Sequence, residues 1–281
     1  MYLFHRVDAV VFVEGGDSQF RIDEIIDGKY TADSIDILFW RSLFEVFAPG
    51  RQFQFRAIGS KQSLSSIAAG ISAGSVKRVL VCMDRDFDNV VGTSPPTKGV
   101  IRTTGYSWEN DVWCSEVVLN ILNLLRPSPL SVGTSKAVIQ SFKSFLRQVS
   151  RPARLDILLH IQHLPTVLRS GNPESFLIVK SSAYPEFNRS RALSVARTIL
   201  QNRRGKMYIC RKYQFDPQLD CYGHLLAAFG YRLVSSVLSK SQGFPSLPKY
   251  FAAAHAIAEF CKIVTQLPAA WNHYSAQFAA V

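Results

Sequence analysis

The chain lacks any C-x-x-C pair, and this absence sets aside zinc binding and redox work for its cysteines. The five cysteines, Cys82, Cys114, Cys210, Cys221 and Cys261, are odd in number and widely spaced, which fits buried thiols in a reducing compartment. No H-E-x-x-H pattern is present; His160 and His163 can share a helix face, but no cysteine or second motif beside them supports a metal site. No run of about 18 apolar residues occurs. The opening residues, MYLFHRVDAV, lack the long apolar stretch and small-residue cleavage site of a secretory leader. The expectation is a soluble, cytoplasmic protein without membrane contact. No internal repeat or low-complexity tract stands out, which leaves a globular chain.

Basic residues far outnumber acidic ones in one region only. Residues 1–135 hold 13 basic and 15 acidic residues, 136–212 hold 15 and 3, and 213–281 hold 4 and 3, so the middle segment, at +12, accounts for the whole chain's net charge of +11. Such a block attracts phosphates at long range, and nucleic acid is the commonest polyanion; a set of solvated helix faces is the plain alternative. With 47% hydrophobic residues, 281 residues are enough for one substantial core or two small ones.

Short β-branched runs at 7–13 (VDAVVFV) and 78–83 (RVLVCM) read as buried parallel strands. Between them the pattern predicts a helix over 32–47, a strand over 52–58 and a helix over 61–72; residues 99–104 suit a fourth strand. This alternation predicts an α/β fold whose ligands bind beyond the carboxyl ends of the strands. From about 108 the pattern turns mainly helical, with one amphipathic helix at 109–125, helical periodicity at 136–168, and helices at 222–239 and 249–265. Residues 175–180 and 206–212 read as short strands. The stop at RPSPL, residues 126–130, marks the expected edge between a domain of 1–125 and a basic, mainly helical part of 126–281.

Acids stand at the expected strand ends. Glu14 closes the first strand, Asp84, Asp86 and Asp88 follow the third, and Glu109 lies beyond the fourth at a helix start. Neighbouring parallel strands lie about 4.8 Å apart, so these groups can meet despite their separation in sequence. Carboxylates so clustered repel one another unless a cation intervenes, and Mg²⁺ takes one or two of them together with waters and phosphates. Each acid taken singly also suits a helix cap or turn. An EF-hand loop starting at Asp84 fails, because Asn89 and Pro95 stand where glycine and glutamate are required. A D-x-D also serves metal-dependent glycosyltransferases, but that leaves Glu14 and Glu109 unexplained.

The pattern VEGG at 13–16 and DRD at 84–86 resembles the Toprim fold, the Rossmann-like, mostly parallel catalytic module of topoisomerases, primases and several nucleases. With GSK at 59–61 and WEN at 108–110, it looks more narrowly like the Toprim-like family that includes the effector nuclease AriB of the PARIS anti-phage system. A weaker echo is CYGHLL at 221–226, where members tend to carry a glycine-basic pair before a helix.

The resemblance implies a Mg²⁺- or Mn²⁺-dependent endonuclease with Glu14 as general base or metal ligand and Asp84 and Asp86 as metal ligands. Asp88 would support them, and Glu109 would be a further ligand or orienting acid. Lys61 would steady a phosphate or simply open a helix. It also implies an antiviral effector beside an ATPase partner protein, and leaves a homodimer open. The chain is too short for a topoisomerase's tyrosine domain and has no cysteine spacing for a primase's zinc domain. Arg147, Arg151, Arg154, Arg189, Arg191, Arg203, Arg204, Lys206, Arg211 and Lys212 are the expected nucleic-acid surface, with Tyr208 and Tyr213 as base-stacking candidates. Alternatives are a catalytically inactive binding module and a glycosyltransferase; DNA and RNA, including tRNA, remain equal as substrates.

Overall fold

The structure, a computed structural model, describes residues 7–16, 18–59, 61–91, 98–180, 184–201, 213–242 and 247–281. In chain order the first elements are β1 (Ala9–Glu14), α1 (Ile22–Ile26), α2 (Ile35–Phe47), β2 (Phe53–Gly59), α3 (Lys61–Ser72), β3 (Val79–Met83), α4 (Asp88–Val91) and β4 (Val100–Arg102). Next come α5 (Trp108–Val112), α6 (Ser115–Leu124), α7 (Val132–Ile161), a 3₁₀ turn (Pro173–Phe176), and the two-residue strands β5 (Leu177–Ile178) and β6 (Glu186–Phe187). They are followed by α8 (Arg189–Gln201), α9 (Pro217–Asp220), α10 (Gly223–Gln242), α11 (Lys249–Ile263) and, past a second 3₁₀ turn, α12 (Pro268–Phe278). Two compact units divide the chain: Met1–Arg85, Gly92–Thr104 and Ile257–Val281 form the first, and Asp86–Val91 with Gly105–Ala256 the second. Residues 126–130 lie inside the second unit.

The first unit is built on a parallel four-stranded sheet of order β2-β1-β3-β4, flanked by helices. Val10 and Phe12 of β1 share a core with Val81 and Met83 of β3 and with Leu64, Ala68 and Ile71 of α3. Alternate residues of a strand point to opposite faces, so the fully buried Val11 and Val13 take the other face. The hydroxyl of Ser34 accepts the Ile37 N–H at 3.2 Å and starts α2, which buries Ile37, Trp40 and Phe44 at helical spacing.

The C-terminal helix α12 was not expected from the sequence, although Pro268 stands at a favoured first-turn position. It buries Ala270, Tyr274 and Phe278 at intervals of four, and Phe278 meets Phe44 edge-on at 4.7 Å. Its Gln277 also closes the sheet edge. The side-chain amide accepts the Arg102 N–H at 2.8 Å and donates to the Arg102 carbonyl at 3.0 Å, as a fifth strand would.

In the second unit, the single helix expected over 109–125 is two helices, α5 and α6. Gln218 Nε2 donates to the carbonyls of Asn110 (2.7 Å) and Trp113 (3.0 Å), which a continuous helix would offer to residues four positions on. The first two residues of the strand expected at 175–180 belong instead to a 3₁₀ turn, which Asn172 caps by accepting the Glu174 N–H at 3.0 Å. Only Leu177–Ile178 remain extended, pairing antiparallel with Glu186–Phe187. The strand expected at 206–212 and Tyr208 lie outside the described residues. Among the described residues no helix is long and apolar enough to cross a membrane.

Candidate functional site

The strand order places the point where the chain reverses direction across the sheet between β1 and β3. Crevices at this point, beyond the carboxyl ends of the strands, are where open α/β sheets bind ligands. Glu14 ends β1 there, and the register with β2 shifts between Val13 and Glu14. Such an irregularity re-aims the residue that carries it. Glu14 Oε2 accepts the backbone N–H of Asp84 at 3.1 Å, which brings the Glu14 carboxylate to the main chain of Asp84 across 70 positions of sequence. Lys61, the first residue of α3, points its ammonium at the Asp84 carbonyl from 3.5 Å.

The turn after Glu14 runs through positive φ at Gly15 (106°) and Gly16 (90°), conformations that an L side chain seldom adopts. Lacking side chains, two glycines at a strand end can leave room for a phosphate to approach. At Gly15 that room is filled from within: a Cβ would overlap the carboxylate of Asp36, which accepts the Gly16 N–H at 3.0 Å. Asp36 was missed in the sequence. Its only signal there is its position in the first turn of a helix, the position of an ordinary dipole-favoured acid.

Asp86, Asp88 and Glu109 belong to the second unit. Asp86 adopts a positive φ of 50°, uncommon outside glycine, and its N–H donates to the Tyr106 carbonyl at 2.8 Å. Asp88 opens α4. Glu109 is buried, with Oε2 accepting the Ser107 hydroxyl at 2.5 Å and Oε1 at 3.2 Å from His224 Nε2. The His224 side chain is itself 62% exposed. Asn110 is clamped beside it, donating to the carbonyls of Gln218 (2.8 Å) and Cys221 (3.0 Å) and accepting the Ser107 N–H at 3.1 Å.

Gly223 makes this packing feasible, since a Cβ there would overlap the Ser107 hydroxyl and press on Asn110 and Glu109. The WEN and CYGHLL segments, more than a hundred residues apart, therefore form one buried polar knot. Tyr222 OH lies 3.2 Å from His224 Nδ1; burial pushes its phenol up, Arg169 opposes this and Glu109 adds to it. His224 was singled out only as half of a glycine-basic pair, and nothing in the sequence marked Gln218.

Of the basic residues expected to track nucleic acid, Arg147, Arg151 and Arg154 lie exposed on α7, and Arg189 and Arg191 exposed on α8. Arg203, Arg204, Lys206, Arg211 and Lys212 lie outside the described residues. The Arg154 guanidinium sits over the Phe215 ring at 4.8 Å, and the Tyr213 hydroxyl donates to Asp220 at 2.5 Å. Tyr213 also packs with Phe215 against the Phe87–Tyr106–Ile157 cluster, a core position rather than a stacking platform.

Among the described residues no group of three or more His, Cys, Asp or Glu side chains is gathered to hold a metal ion. Mg²⁺ itself commonly uses only one or two carboxylates and completes its octahedron with water and substrate phosphate. No protein-family model matches this chain, and no curated protein matches it in sequence.

Proposed function

We propose that this chain is a Toprim-like, metal-dependent endonuclease that hydrolyses phosphodiester bonds in nucleic acid. The observation carrying the reading is the Glu14 carboxylate seated on the Asp84 N–H, at the carboxyl ends of adjacent strands where the sheet reverses. Glu14 and Asp84 would hold Mg²⁺ or Mn²⁺; Asp86, Asp88 and Glu109, which belong to the second unit, are the further acids that the resemblance implies. When bound, such an ion lowers the pKa of water and neutralises charge on a scissile phosphate. Lys61, already turned toward Asp84, supplies a point charge for a phosphate oxygen. The basic α7 and α8 provide the surface that follows the backbone.

The resemblance of VEGG, DRD, GSK and WEN to the family of the PARIS effector extends the reading to a toxic antiviral effector working beside an ATPase partner. The test is cleavage of mixed DNA, RNA and tRNA with Mg²⁺ or Mn²⁺ and with chelator. Wild type should cut only with metal, and Glu14→Gln and Asp84→Asn should each reduce the rate at least a hundredfold while melting like wild type. Unchanged cleavage by both variants overturns the assignment.

A second reading, a non-catalytic nucleic-acid-binding module, would use the exposed basic residues of α7 and α8 without the acids. Calorimetric titration with Mg²⁺ separates the two, because only the nuclease has a site that Asp84→Asn removes.

A further inference from the structure

The longest helix, α7, carries Lys136, Lys143, Arg147, Arg151 and Arg154 at spacings of seven, four, four and three, all exposed. These spacings put five cations on one face. At 1.5 Å per residue the row is about 27 Å long. The helix's one acid, Asp156, is buried away from it. α8 has no acid at all and adds Arg189, Arg191 and Arg197, all exposed.

Between α7 and α8 opens a cleft of about 330 Å³. Arg151 and Arg189 stand on its walls, and Leu155, Phe187, Leu193 and Ala196 make most of it apolar. Pro152 lines it too. Gln148, one turn earlier, lies in the cleft wall as well. The site therefore combines cations for phosphate with an apolar slot backed by the buried Phe187 ring. Its volume is at the low end of ligand pockets, which run from about 300 to 1,000 Å³, and suits one planar group.

We propose that this cleft takes one unstacked nucleobase of a single strand whose backbone runs along the α7 cations, so that the chain prefers single-stranded nucleic acid to duplex. Charge complementarity to the row of cations calls for a polyanion, and the apolar slot sized for one planar group beside that row selects a nucleic acid over an acidic peptide. The inference rests on the nucleic-acid reading above and names its substrate class. Base burial of this kind contributes about 1–3 kcal/mol per base, or roughly ten- to a hundredfold in affinity.

The test is fluorescence anisotropy with a labelled 20-nucleotide single strand and its duplex, in chelator so that no cutting occurs. Wild type should bind the single strand at least tenfold more tightly. Ala196→Phe, which fills the cleft, should remove that preference and leave duplex binding unchanged. Leu193→Glu, at a side chain 58% exposed and safe for folding, should weaken the single strand more than the duplex. Equal binding of the two forms by wild type, or an undiminished preference in both variants, overturns the proposal. So does failure to bind either form, which would leave the cleft to a protein partner. Because chelator removes the metal, cutting without strand preference sinks only the cleft, whereas preference without cutting sinks only the nuclease.

Discussion

Gly15 shows how one residue can be required for two reasons at once. Its φ of 106° is unfavourable for any side chain, and its missing Cβ is the space that Asp36 occupies. Gly15→Ala should therefore cost about 1–3 kcal/mol from the backbone alone, with an added steric cost. In a double-mutant cycle read by thermal melting, Asp36→Ala should recover the steric part but not the backbone part. Simple additivity would show that Asp36 does not press on this turn. Asp156 makes a different prediction. Burial pushes its carboxyl up to about 7, although the N–H groups of Leu168 (2.9 Å) and Val167 (2.5 Å) pull it down and Arg169 adds to them. The folded state then holds its proton where the unfolded chain, near pH 4, has lost it. Its contribution to stability is full below about pH 4 and declines as pH rises to about 7. Urea melts across pH 4 to 8 should show this decline in wild type and a flatter profile in Asp156→Asn; parallel profiles would count against it.

At the scale of elements, side chains standing in for backbone decide where helices and strands stop. Gln218 takes two carbonyls and divides α5 from α6; Gln277 takes the free edge of β4. Gln277→Ala should leave the Arg102 N–H without its acceptor, at a cost of about 1–3 kcal/mol. Hydrogen exchange at the Arg102 amide should quicken, while exchange in β1 changes less; an unaltered Arg102 amide would refute the edge role. Neither glutamine was legible beforehand. A glutamine in a polar stretch has no periodicity to read, and its partners are more than a hundred residues away. The four parallel strands were legible, since each is a short β-branched or aromatic run that needs burial on both faces.

At the scale of the whole molecule, charge and chain path diverge. The basic excess is continuous in sequence at 136–212, whereas the first compact unit is assembled from three separate stretches. On the nucleic-acid reading proposed above, binding should weaken steeply with salt, and Lys143→Gln, Arg147→Gln and Arg154→Gln together should lower the log–log slope by about three contacts' worth, roughly 2.1 on a single strand and roughly 2.7 on duplex DNA. Equilibrium titrations between 50 and 300 mM salt would measure this, and an unchanged slope would place the phosphates elsewhere. The sequence by itself determined the strand runs, the acid at the tip of β1, the aspartates after β3 and the basic middle, because hydrophobic periodicity and charge are local properties. Only the tertiary structure decided that Glu14 bonds to Asp84, that Asp36 fills the space behind Gly15, and that Gly223 and His224 close on Glu109 and Asn110. Those pairings depend on parallel crossovers and close backbone approach, which bring together residues that no local pattern connects.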